Sequence, residues 1–390
     1  MHLVLPLGGR GTRLLPHTRT RPKCLFRLAG DTVLGHVLAR LADLSFARTT
    51  LIVSPDGGAV EAWLRQSLAR GGGTHRGFRP GTLEIVLQSE PQGQSQALAL
   101  VADRLAGETL IVFADTLFEV DWTAVVDPHD GLDGHLFVQR VADPRALGVV
   151  VLREDDTVAS LVEKPTDPVS DLALLGLYHL RDGTALARAV QAQLAAGTTL
   201  RGEAYLADAL NLLIQDGARL GVSSSKVWED CGRPAEVIKA QRYLLEAIWS
   251  RDEVPGGPDW LREPVDLSTA FPDCSFLPPV AVAPDAELGG SVIGPGVVIG
   301  PGARIADSVI GPDVLVEGGA DVEHSLVGPF VSLGAESSTL GARLSDVILG
   351  ARATVMETGL EASILSPGAM ARGQAPHLNL GEGETWEALP

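Results

Sequence analysis

The sequence has little cysteine and no close cysteine pair. Its three cysteines, Cys24, Cys231 and Cys274, are far apart in a chain of 390 residues. An odd number of isolated cysteines predicts neither a disulfide framework nor a zinc site, and the nine histidines form no cluster with ligand spacing. We therefore expect reduced thiols and no structural zinc.

Positive charge and long apolar runs are also scarce. There are 31 Lys and Arg against 49 Asp and Glu, so the formal net charge is -18. Such an acidic surface argues against nucleic acid or an anionic membrane as a partner, although a small anionic substrate needs only a local positive pocket. No apolar run approaches the roughly 18 residues of a membrane span, and the N-terminus has no signal-peptide pattern. We expect a cytoplasmic protein.

The first 247 residues alternate between apolar runs of strand length and amphipathic stretches. The early apolar runs end at Val53, Leu87 and Phe113, and longer strands with few helices between them follow from Gly134. Strands that alternate with helices predict an α/β domain with a mixed, mostly parallel sheet, whose ligands bind at the carboxyl ends of the strands. Helices are predicted at residues 33–44, 59–68, 94–105, 184–195, 204–216 and 234–248.

A Pro- and Gly-rich stretch and then a repeat follow this domain. Segments related to Ser-Val-Ile-Gly-Pro begin at Ser291, Ser308 and Ser325, at intervals of 17, and branched apolar residues recur about every six positions. A parallel β-helix with three short strands per coil buries such a ladder, whereas a sandwich, the alternative, needs no fixed period. Because open coil ends need covering, we expect a homo-oligomer. The predicted divisions are a first domain (1–247), a linker (248–279), a β-helix (280–375) and a tail (376–390).

A glycine-rich, basic segment, residues 7–23, follows the first apolar run. Glycine lets backbone N–H groups approach a polyanion closely, while arginine and lysine supply charge and donors. The segment therefore favours phosphate binding, and the alternative is a solvated basic turn at a strand end. Its glycines are Gly8, Gly9 and Gly11, and its basic residues are Arg10, Arg13, Arg19, Arg21 and Lys23.

Two aspartates follow predicted strands. Asp115 comes after the apolar run 110–114, and Asp230 comes after the segment 226–229. A carboxylate at the carboxyl end of a parallel strand faces the ligand cleft, and two such groups could hold Mg²⁺, which keeps water and substrate phosphate as its other ligands. Each aspartate taken singly could equally be a turn residue or a helix cap.

A polar turn follows a third strand. Gln88 ends the strand, and Gly93 precedes a helical pattern. The amide of Gln88 offers donors and an acceptor to the edge of a base, and a glycine would let a flat ring lie against the backbone. The alternative is an ordinary βα turn in which the glycine is needed for its dihedral angles.

A carboxylate and an ammonium group close a later strand as neighbours, Glu163 and Lys164. Together they could accept from a sugar hydroxyl and bind its phosphate. The alternative is a solvated strand end, which is common for charged residues.

The ordered set of motifs is Gly8-Gly9-Arg10-Gly11-Thr12-Arg13-Leu14 with Pro16, Thr18 and Pro22-Lys23; Gln88 with Pro91-x-Gly93; Ala114-Asp115; Gly148-Val149-Val150; Glu163-Lys164-Pro165; and Trp228-x-Asp230-x-Gly232-x-Pro234. This set resembles the sugar-phosphate nucleotidyltransferases, and among them the long form of glucose-1-phosphate thymidylyltransferase. The resemblance implies a Rossmann-like nucleotidyltransferase domain followed by a left-handed parallel β-helix. The sequence departs from the family pattern at Leu7, Gln94 and Ala114, which leaves the choice of nucleotide open.

The resemblance implies which positions bind which part of the substrates. The implied nucleotide-binding residues are Leu7, Gly8, Gly9, Gly11, Thr12, Arg13, Gln88 and Gly93. The implied sugar-phosphate-binding residues are Gly148, Glu163 and Lys164. Asp115 and Asp230 are the implied Mg²⁺ ligands. Arg13 and Lys23 are the implied catalytic residues, which would neutralise phosphate charge.

The implied reaction is an in-line displacement that joins a nucleoside triphosphate and a sugar 1-phosphate and releases pyrophosphate. The leading substrates are dTTP and glucose 1-phosphate, while UTP, GTP and mannose 1-phosphate stay open. Two alternatives come from other classes. A hexapeptide-repeat acyltransferase would need a catalytic histidine on the coils, where His324 stands alone between residues 280 and 370. A non-catalytic sugar-nucleotide sensor would bind without turnover.

Overall fold

The computed structural model describes residues 1–9, 11–55, 57–90, 92–124, 131–200, 202–250, 266–373 and 377–387. These residues pack as two compact units. Unit 1 comprises Met1–Gly9 and His36–Trp228, and unit 2 comprises Arg10–Gly35 and Glu229–Pro390. The segment that follows the first strand therefore packs with the C-terminal part of the chain.

The elements up to residue 250 alternate as the sequence predicts. They are β1 (His2–Pro6), β2 (Arg27–Leu28), β3 (Asp31–Thr32), α1 (Val33–Ala39), β4 (Arg48–Val53), α2 (Gly58–Arg70), β5 (Thr82–Leu87), α3 (Gln94–Ala99), β6 (Thr109–Val112), β7 (Thr116–Glu119), β8 (Gly134–Arg140), β9 (Gly148–Leu152), β10 (Val158–Glu163), β11 (Leu172–Leu180), α4 (Gly183–Ala195), α5 (Leu206–Gln215), β12 (Leu220–Ser224), β13 (Val227–Asp230) and α6 (Pro234–Ser250).

Unit 1 is built on a nine-stranded mixed sheet. Its main path runs β10-β9-β11-β6-β1-β4-β5, and β8 joins β11 to β12. Strands β6, β1, β4 and β5 are parallel, so their carboxyl ends meet at one edge. Strand β11 runs antiparallel to β6 and extends past its carboxyl end, where Ala173 pairs with Val149 of β9. The pair β9 and β10 thus stands at the same edge as the loops after β1, β5 and β6.

The core of unit 1 explains why the apolar runs form strands. Val4, Ile111 and Tyr178 of the central strands are buried against Leu186 and Leu210 of α4 and α5. A parallel strand covered on both faces needs a continuous apolar run, which is the pattern of β1, β4 and β6. Helices α1 and α3 are shorter than the sequence predicts. Turns follow α1, and a turn and a short 3₁₀ helix (Ala102–Arg104) follow α3.

Unit 2 contains short strands stacked in two long parallel sheets. They follow α7 (Leu267–Ala270) and are β14 (Ser275–Phe276), β15 (Val280–Val282), β16 (Glu287–Gly289), β17 (Val292–Ile293), β18 (Val297–Ile299), β19 (Arg304–Ala306), β20 (Val309–Ile310), β21 (Val314–Val316), β22 (Asp321–Glu323), β23 (Leu326–Val327), β24 (Val331–Leu333), β25 (Ser338–Leu340), β26 (Arg343–Leu349), β27 (Thr354–Met356), β28 (Gly359–Leu365), β29 (Met370–Arg372), β30 (Asn379–Leu380) and β31 (Thr385–Glu387).

The coil register is the repeat seen in the sequence. Ile293 pairs with Ile310 and Ile310 with Val327, so residues 17 apart stack on successive coils and form a buried ladder. The serines that begin each repeat form a second ladder. The backbone N–H of Ser308 donates to Ser291 Oγ at 3.1 Å, and that of Ser325 donates to Ser308 Oγ at 3.0 Å. The repeated serine therefore satisfies backbone donors at a coil corner.

Helix α6 is attached to the coils by a buried amide. Gln241 Nε2 donates to the carbonyls of Phe330 (3.0 Å) and Val347 (3.1 Å), and its Oε1 accepts from Ser332 Oγ at 2.6 Å. Arg242 pairs with Asp346 beside this contact. The three partners of this amide all belong to the coils of unit 2. These hydrogen bonds therefore fix α6 against the coils.

The predicted fold class is confirmed. A Rossmann-like mixed sheet is followed by parallel coils that are consistent with a left-handed β-helix. Strands β30 and β31 extend the two coil sheets beyond residue 375. Residues 251–265 of the predicted linker, and residues 376 and 388–390 of the predicted tail, lie outside the described residues. Within the described ranges, none of the helices has both the length and the apolar character that crossing a membrane requires.

Candidate functional site

Gln88 is the centre of the first group of predicted site residues in unit 1. The side chain is buried, and its Nε2 donates to the carbonyl of Gly93 at 3.4 Å and to Oε1 of Gln96. A Cβ on Gly8 would lie 2.3 Å from Gln88 Oε1, so a side chain at position 8 would displace this buried amide. The structure therefore brings Gly8, Gln88 and Gly93 together after β1 and β5. Leu7 is buried, and Gly9 is exposed.

The turn that contains Gly93 is tied to the start of α5. Ser95 N donates to the Ala204 carbonyl, and Ala204 N donates to the Gln92 carbonyl, both at 3.0 Å. Gly93 has φ +116, and a Cβ there would lie 2.5 Å from Ala204 N. Gln94 Oε1 accepts from Leu206 N at 3.2 Å, which satisfies a donor at the beginning of α5. The structure thus explains why glycine occupies position 93 and glutamine occupies position 94. Pro91 lies outside the described residues.

Glu163 and Gly148 lie opposite each other in the pair β9 and β10. A Cβ on Gly148 would be 2.8 Å from Glu163 Oε2 and 3.2 Å from Leu174 Cδ1. The Glu163 side chain is 16% exposed, and burial raises the pKa of its carboxyl group, an effect that the neighbouring Lys164 opposes. A partly buried carboxylate held at the carboxyl edge can accept hydrogen bonds from hydroxyl groups of a ligand.

Lys164 is held by an aromatic residue that the sequence analysis did not single out. Its Nζ donates to Tyr205 Oη at 2.5 Å and lies 3.5 Å from Glu163 Oε1. The ammonium group is also 4.3 Å from the centroid of the Tyr205 ring. Burial raises the pKa of the Tyr205 hydroxyl, which also hydrogen-bonds to Glu203. Residues 203–206 therefore link the turn at Gly93 to the ammonium group.

Asp115 follows β6 in unit 1 and is partly exposed. Burial raises the pKa of Tyr178, and the negative charges of Glu163 and Asp115 raise it further. Asp115 therefore lies within electrostatic range of the same tyrosine as Glu163. The carboxylate of Asp115 and the pair Glu163 and Lys164 belong to one edge of the sheet.

The remaining predicted residues lie in unit 2, most of them on a segment that we call the basic loop, residues 11–30. Gly11 has φ +61, and a Cβ there would be 3.0 Å from both Thr18 Cγ2 and Lys23 Cβ. Thr18 Oγ1 donates to the Gly11 carbonyl at 2.8 Å. The loop thus folds back so that Lys23 lies beside Gly11. Thr12 and Arg13 are exposed, and Arg10 lies outside the described residues.

Asp230 ends β13 and is also partly exposed. A Cβ on Gly232 would lie 2.8 Å from Asp230 Oδ1, so glycine leaves room for the carboxylate. No group of three or more His, Cys, Asp or Glu among the described residues is arranged to hold a metal. Asp115 in unit 1 and Asp230 in unit 2 each offer a carboxylate, and Mg²⁺ commonly takes one or two protein carboxylates and completes its shell with water and phosphate.

Comparison with known families gives a match that covers most of the chain. Residues 3–247 match the nucleotidyl transferase family. The chain belongs to this family. The match includes all the predicted site residues, in unit 1 and in unit 2, and ends within α6. Similarity to individual family members is distributed over proteins with different names.

Three relatives illustrate this range. A mannose-1-phosphate guanylyltransferase of Mycobacterium tuberculosis is 31% identical over 63% of the chain and 65% of its own length. A glucose-1-phosphate thymidylyltransferase of Streptomyces griseus is 30% identical over 64% of the chain and 68% of its own length. The bifunctional protein GlmU of Methanocaldococcus jannaschii is 27% identical over 64% of the chain, and the match spans 55% of that relative. The chain thus spans little more than half the length of several relatives it matches.

A solved structure supports the fold of the first part. A Bacillus anthracis protein named as a glucose-1-phosphate thymidylyltransferase, crystallised with sucrose, has a TM-score of 0.52 and 21% identity. The match covers 62% of this chain and 93% of that one. At this identity the likeness concerns the fold of the nucleotidyl transferase domain and not its substrate.

Sequence reasoning found the charged residues of the edge but missed the residues that hold them. Tyr205 was placed inside a predicted helix from residue 204, whereas α5 begins at Leu206 and Tyr205 is its N-cap. Gln96 was also missed, although it accepts from Gln88. A signal was present for Tyr205, because the chain has only three tyrosines and this one directly precedes an apolar helix.

Proposed function

We propose that this nucleotidyl transferase forms a nucleoside-diphosphate sugar and pyrophosphate from a nucleoside triphosphate and a sugar 1-phosphate. The observation that carries the proposal is the arrangement at the carboxyl edge of unit 1. One polar cluster, around Gln88, and one charged pair, Glu163 and Lys164, are connected there through residues 203–206. Two separate ligand parts, a base and a sugar phosphate, suit these two groups.

The amide of Gln88 favours a base that carries an N–H on its pairing edge. Both donors of Nε2 are directed to Gly93 and Gln96, so Oε1 is the group that remains as acceptor, next to Gly8. Thymine, uracil and guanine present a ring N–H at this edge, whereas adenine and cytosine present an acceptor. This supports dTTP as the leading nucleotide, with UTP and GTP as its competitors.

The pair at the end of β10 favours a phosphorylated sugar. The Lys164 side chain is 24% exposed, and its ammonium group has three donors, of which one is used by Tyr205. It can therefore bind a phosphate oxygen, while Glu163 accepts from sugar hydroxyls. We take glucose 1-phosphate as the leading sugar, in line with the relative from Streptomyces griseus.

The reaction needs alignment and charge neutralisation more than a nucleophilic side chain. An oxygen of the sugar phosphate attacks the α-phosphorus, the new oxygen–phosphorus bond forms, and the bond from the α-phosphorus to the bridging oxygen breaks as pyrophosphate leaves. Lys164 orients the attacking phosphate. Arg13 and Lys23 supply positive charge to the triphosphate as negative charge moves onto the leaving group. Asp115 and Asp230 would hold Mg²⁺, which supplies further charge neutralisation when bound.

A specific observation also favours a second candidate, GTP with mannose 1-phosphate. The relative of Mycobacterium tuberculosis carries that activity in its name and has 31% identity, about the same as the thymidylyltransferase. The acyltransferase alternative rests on His324, whose side chain is 64% exposed and lies 3.9 Å from Asp307. An exposed ring beside a surface carboxylate provides no enclosed site for a thioester, so we give that alternative less weight.

The deciding experiment is a matrix of nucleotides and sugar 1-phosphates with Mg²⁺. Pyrophosphate release and the mass of the product are measured for dTTP, UTP, GTP, ATP and CTP against glucose and mannose 1-phosphate. We expect the highest kcat/KM with dTTP and glucose 1-phosphate. Preference for GTP and mannose 1-phosphate would support the second candidate, and binding without pyrophosphate release in any combination would support the sensor alternative.

A further inference from the structure

The basic loop is attached to the final coils of the β-helix within unit 2. At the centre of the contact is His17, whose side chain is only 2% exposed. Its Nδ1 is 2.8 Å from Oγ of Ser366, which is also buried. The imidazole ring packs edge-on against Phe26, with 5.9 Å between the centroids. A buried ring with a polar partner and an aromatic neighbour fixes the path of the loop.

Two carboxylates of the last coil bind the loop beside His17. Arg19 Nη1 is 2.9 Å from Glu384 Oε1. Arg21 Nη2 is 3.2 Å from Glu382 Oε2, and Thr20 Oγ1 donates to the same oxygen. Two of the basic residues that the sequence assigns to phosphate binding are thus paired with carboxylates of the β-helix. Their pairing lowers the local positive charge and ties the loop down.

Close backbone packing accompanies these pairs. A Cβ on Gly381 would be 3.1 Å from Pro16 Cβ, and a Cβ on Gly30 would be 2.9 Å from Leu315 Cδ2. At the other end of the loop, Arg27 Nη2 donates to both carboxylate oxygens of Glu317 at 3.0 Å. The loop is therefore in contact with the coils along much of its length.

The loop residues that contact the last coils lie in the sequence between the two proposed catalytic residues, Arg13 and Lys23. Residues 16–21 follow Arg13 and precede Lys23, and the loop closes on itself where Lys23 lies beside Gly11. Each exposed ion pair contributes little to overall stability. Together with the buried contact of His17, the pairs of Arg19 and Arg21 nevertheless restrict the path of the chain between Arg13 and Lys23. Misplacement of a reacting group by about 1 Å can lower a rate by about a hundredfold.

We propose that Ser366, Glu382 and Glu384 are positioning residues, through which the last coils of the β-helix hold Arg13 and Lys23 in their reactive arrangement. The inference rests on the proposed nucleotidyl transfer. None of the three residues needs to touch a substrate. Because they act on the loop that carries Arg13 and Lys23, their loss lowers turnover and weakens nucleotide binding, whereas the KM for the sugar phosphate stays nearly unchanged. The β-helix then contributes to catalysis.

The test uses the full chain with Glu382→Gln and Glu384→Gln combined. The matched control is Glu323→Gln, which removes a similar pair with Arg304, at 3.1 Å, within the coils. We expect the double variant to lose about tenfold in kcat, with the KM for the sugar phosphate within about twofold of the wild-type value. The control should behave as the wild type. A double variant whose kcat equals that of the control would overturn the proposal.

A charge exchange separates positioning from simple loss of stability. Arg19→Glu and Glu384→Arg should each lower kcat, whereas the combined exchange restores the pair and should recover most of the loss. If the exchange is no better than either single variant, the Arg19 and Glu384 pair does not position the loop.

A measurement without substrate keeps this inference separate from the proposed function. Trypsin cleavage within residues 11–30 should be faster in the double variant than in the Glu323→Gln control, at equal thermal midpoints. If the wild type forms no sugar nucleotide but cleavage accelerates as expected, the proposed function fails and the attachment of the loop stands. If cleavage stays unchanged while the wild type is active, the attachment is wrong.

Discussion

Gly148 and Glu163 face each other across β9 and β10, and a Cβ at position 148 would lie 2.8 Å from Glu163 Oε2. A methyl group at position 148 would therefore force the Glu163 carboxylate to move. We expect Gly148→Ala to displace this carboxylate and to raise the KM for the sugar phosphate by about ten- to a hundredfold, as for one lost hydrogen bond to a charged group. Initial rates with the sugar phosphate varied measure this, and the KM for the nucleotide should stay unchanged.

The control for this substitution is Gly58→Ala at the start of α2, where an added Cβ meets no atom within 4 Å. That variant should keep both Michaelis constants. Equal sugar-phosphate KM values for Gly148→Ala and Gly58→Ala would show that Glu163 does not bind the sugar.

Lys23 provides the sharpest test of the catalytic assignment. If Lys23 acts mainly on the charge that develops as pyrophosphate leaves, Lys23→Ala should lower kcat. The expected increase in activation free energy is about two to four kcal/mol, and substrate binding should change much less. Single-turnover rates and binding titrations separate the two effects. Lys226→Ala, at an exposed position of unit 1, serves as the control for loss of a lysine charge. Near-normal turnover of Lys23→Ala would refute the role.

The β-helix was predictable because its register is local in sequence. Residues 17 apart stack directly, so the spacing of Ser291, Ser308 and Ser325 already contains the geometry of the coil. The alternation of strands and helices was predictable for the same reason. The C-terminal ends of α1 and α3 were harder to predict. Apolar residues beyond these ends are also buried, and they extend the apparent helical pattern.

The site was predictable as a set of residue types but not as a set of contacts. Lys164 meets Tyr205 across 41 positions, and Arg19 meets Glu384 across 365. Pairs at such separations are brought together by the tertiary fold, and no spacing rule in the sequence encodes them. For this reason the sequence assigned Arg19 and Arg21 to phosphate, whereas the structure pairs both with carboxylates.

Gly8 and Gly9 are adjacent but should respond differently to a methyl group. A Cβ on Gly8 would lie 2.3 Å from Gln88 Oε1, whereas a Cβ on Gly9 meets no atom within 4 Å. Gly8→Ala should therefore destabilise the unliganded protein by about 1–3 kcal/mol, the usual cost of overpacking. Gly9→Ala should stay within about 0.5 kcal/mol of the wild type. Urea unfolding measures both, and equal destabilisation by the two variants would contradict the packing at Gln88.

Three buried histidines should make stability depend on pH in a defined direction. Burial lowers the pKa of His2, His17 and His179 below the ordinary value of 6.5, which they regain on unfolding. At pH values between the folded and unfolded pKa of these histidines, the unfolded chain binds more protons than the folded protein. The free energy of unfolding therefore rises with pH in this range. The stabilising contribution is complete above about pH 6.5 and is lost as the pH falls below it. Urea unfolding from pH 5 to pH 8 should show this increase.

Replacing all three buried histidines by Gln should flatten the pH profile of the unfolding free energy. The control His324→Gln, at a side chain that is 64% exposed, should leave the profile unchanged. A wild-type profile that is flat from pH 5 to pH 7 would contradict the assignment.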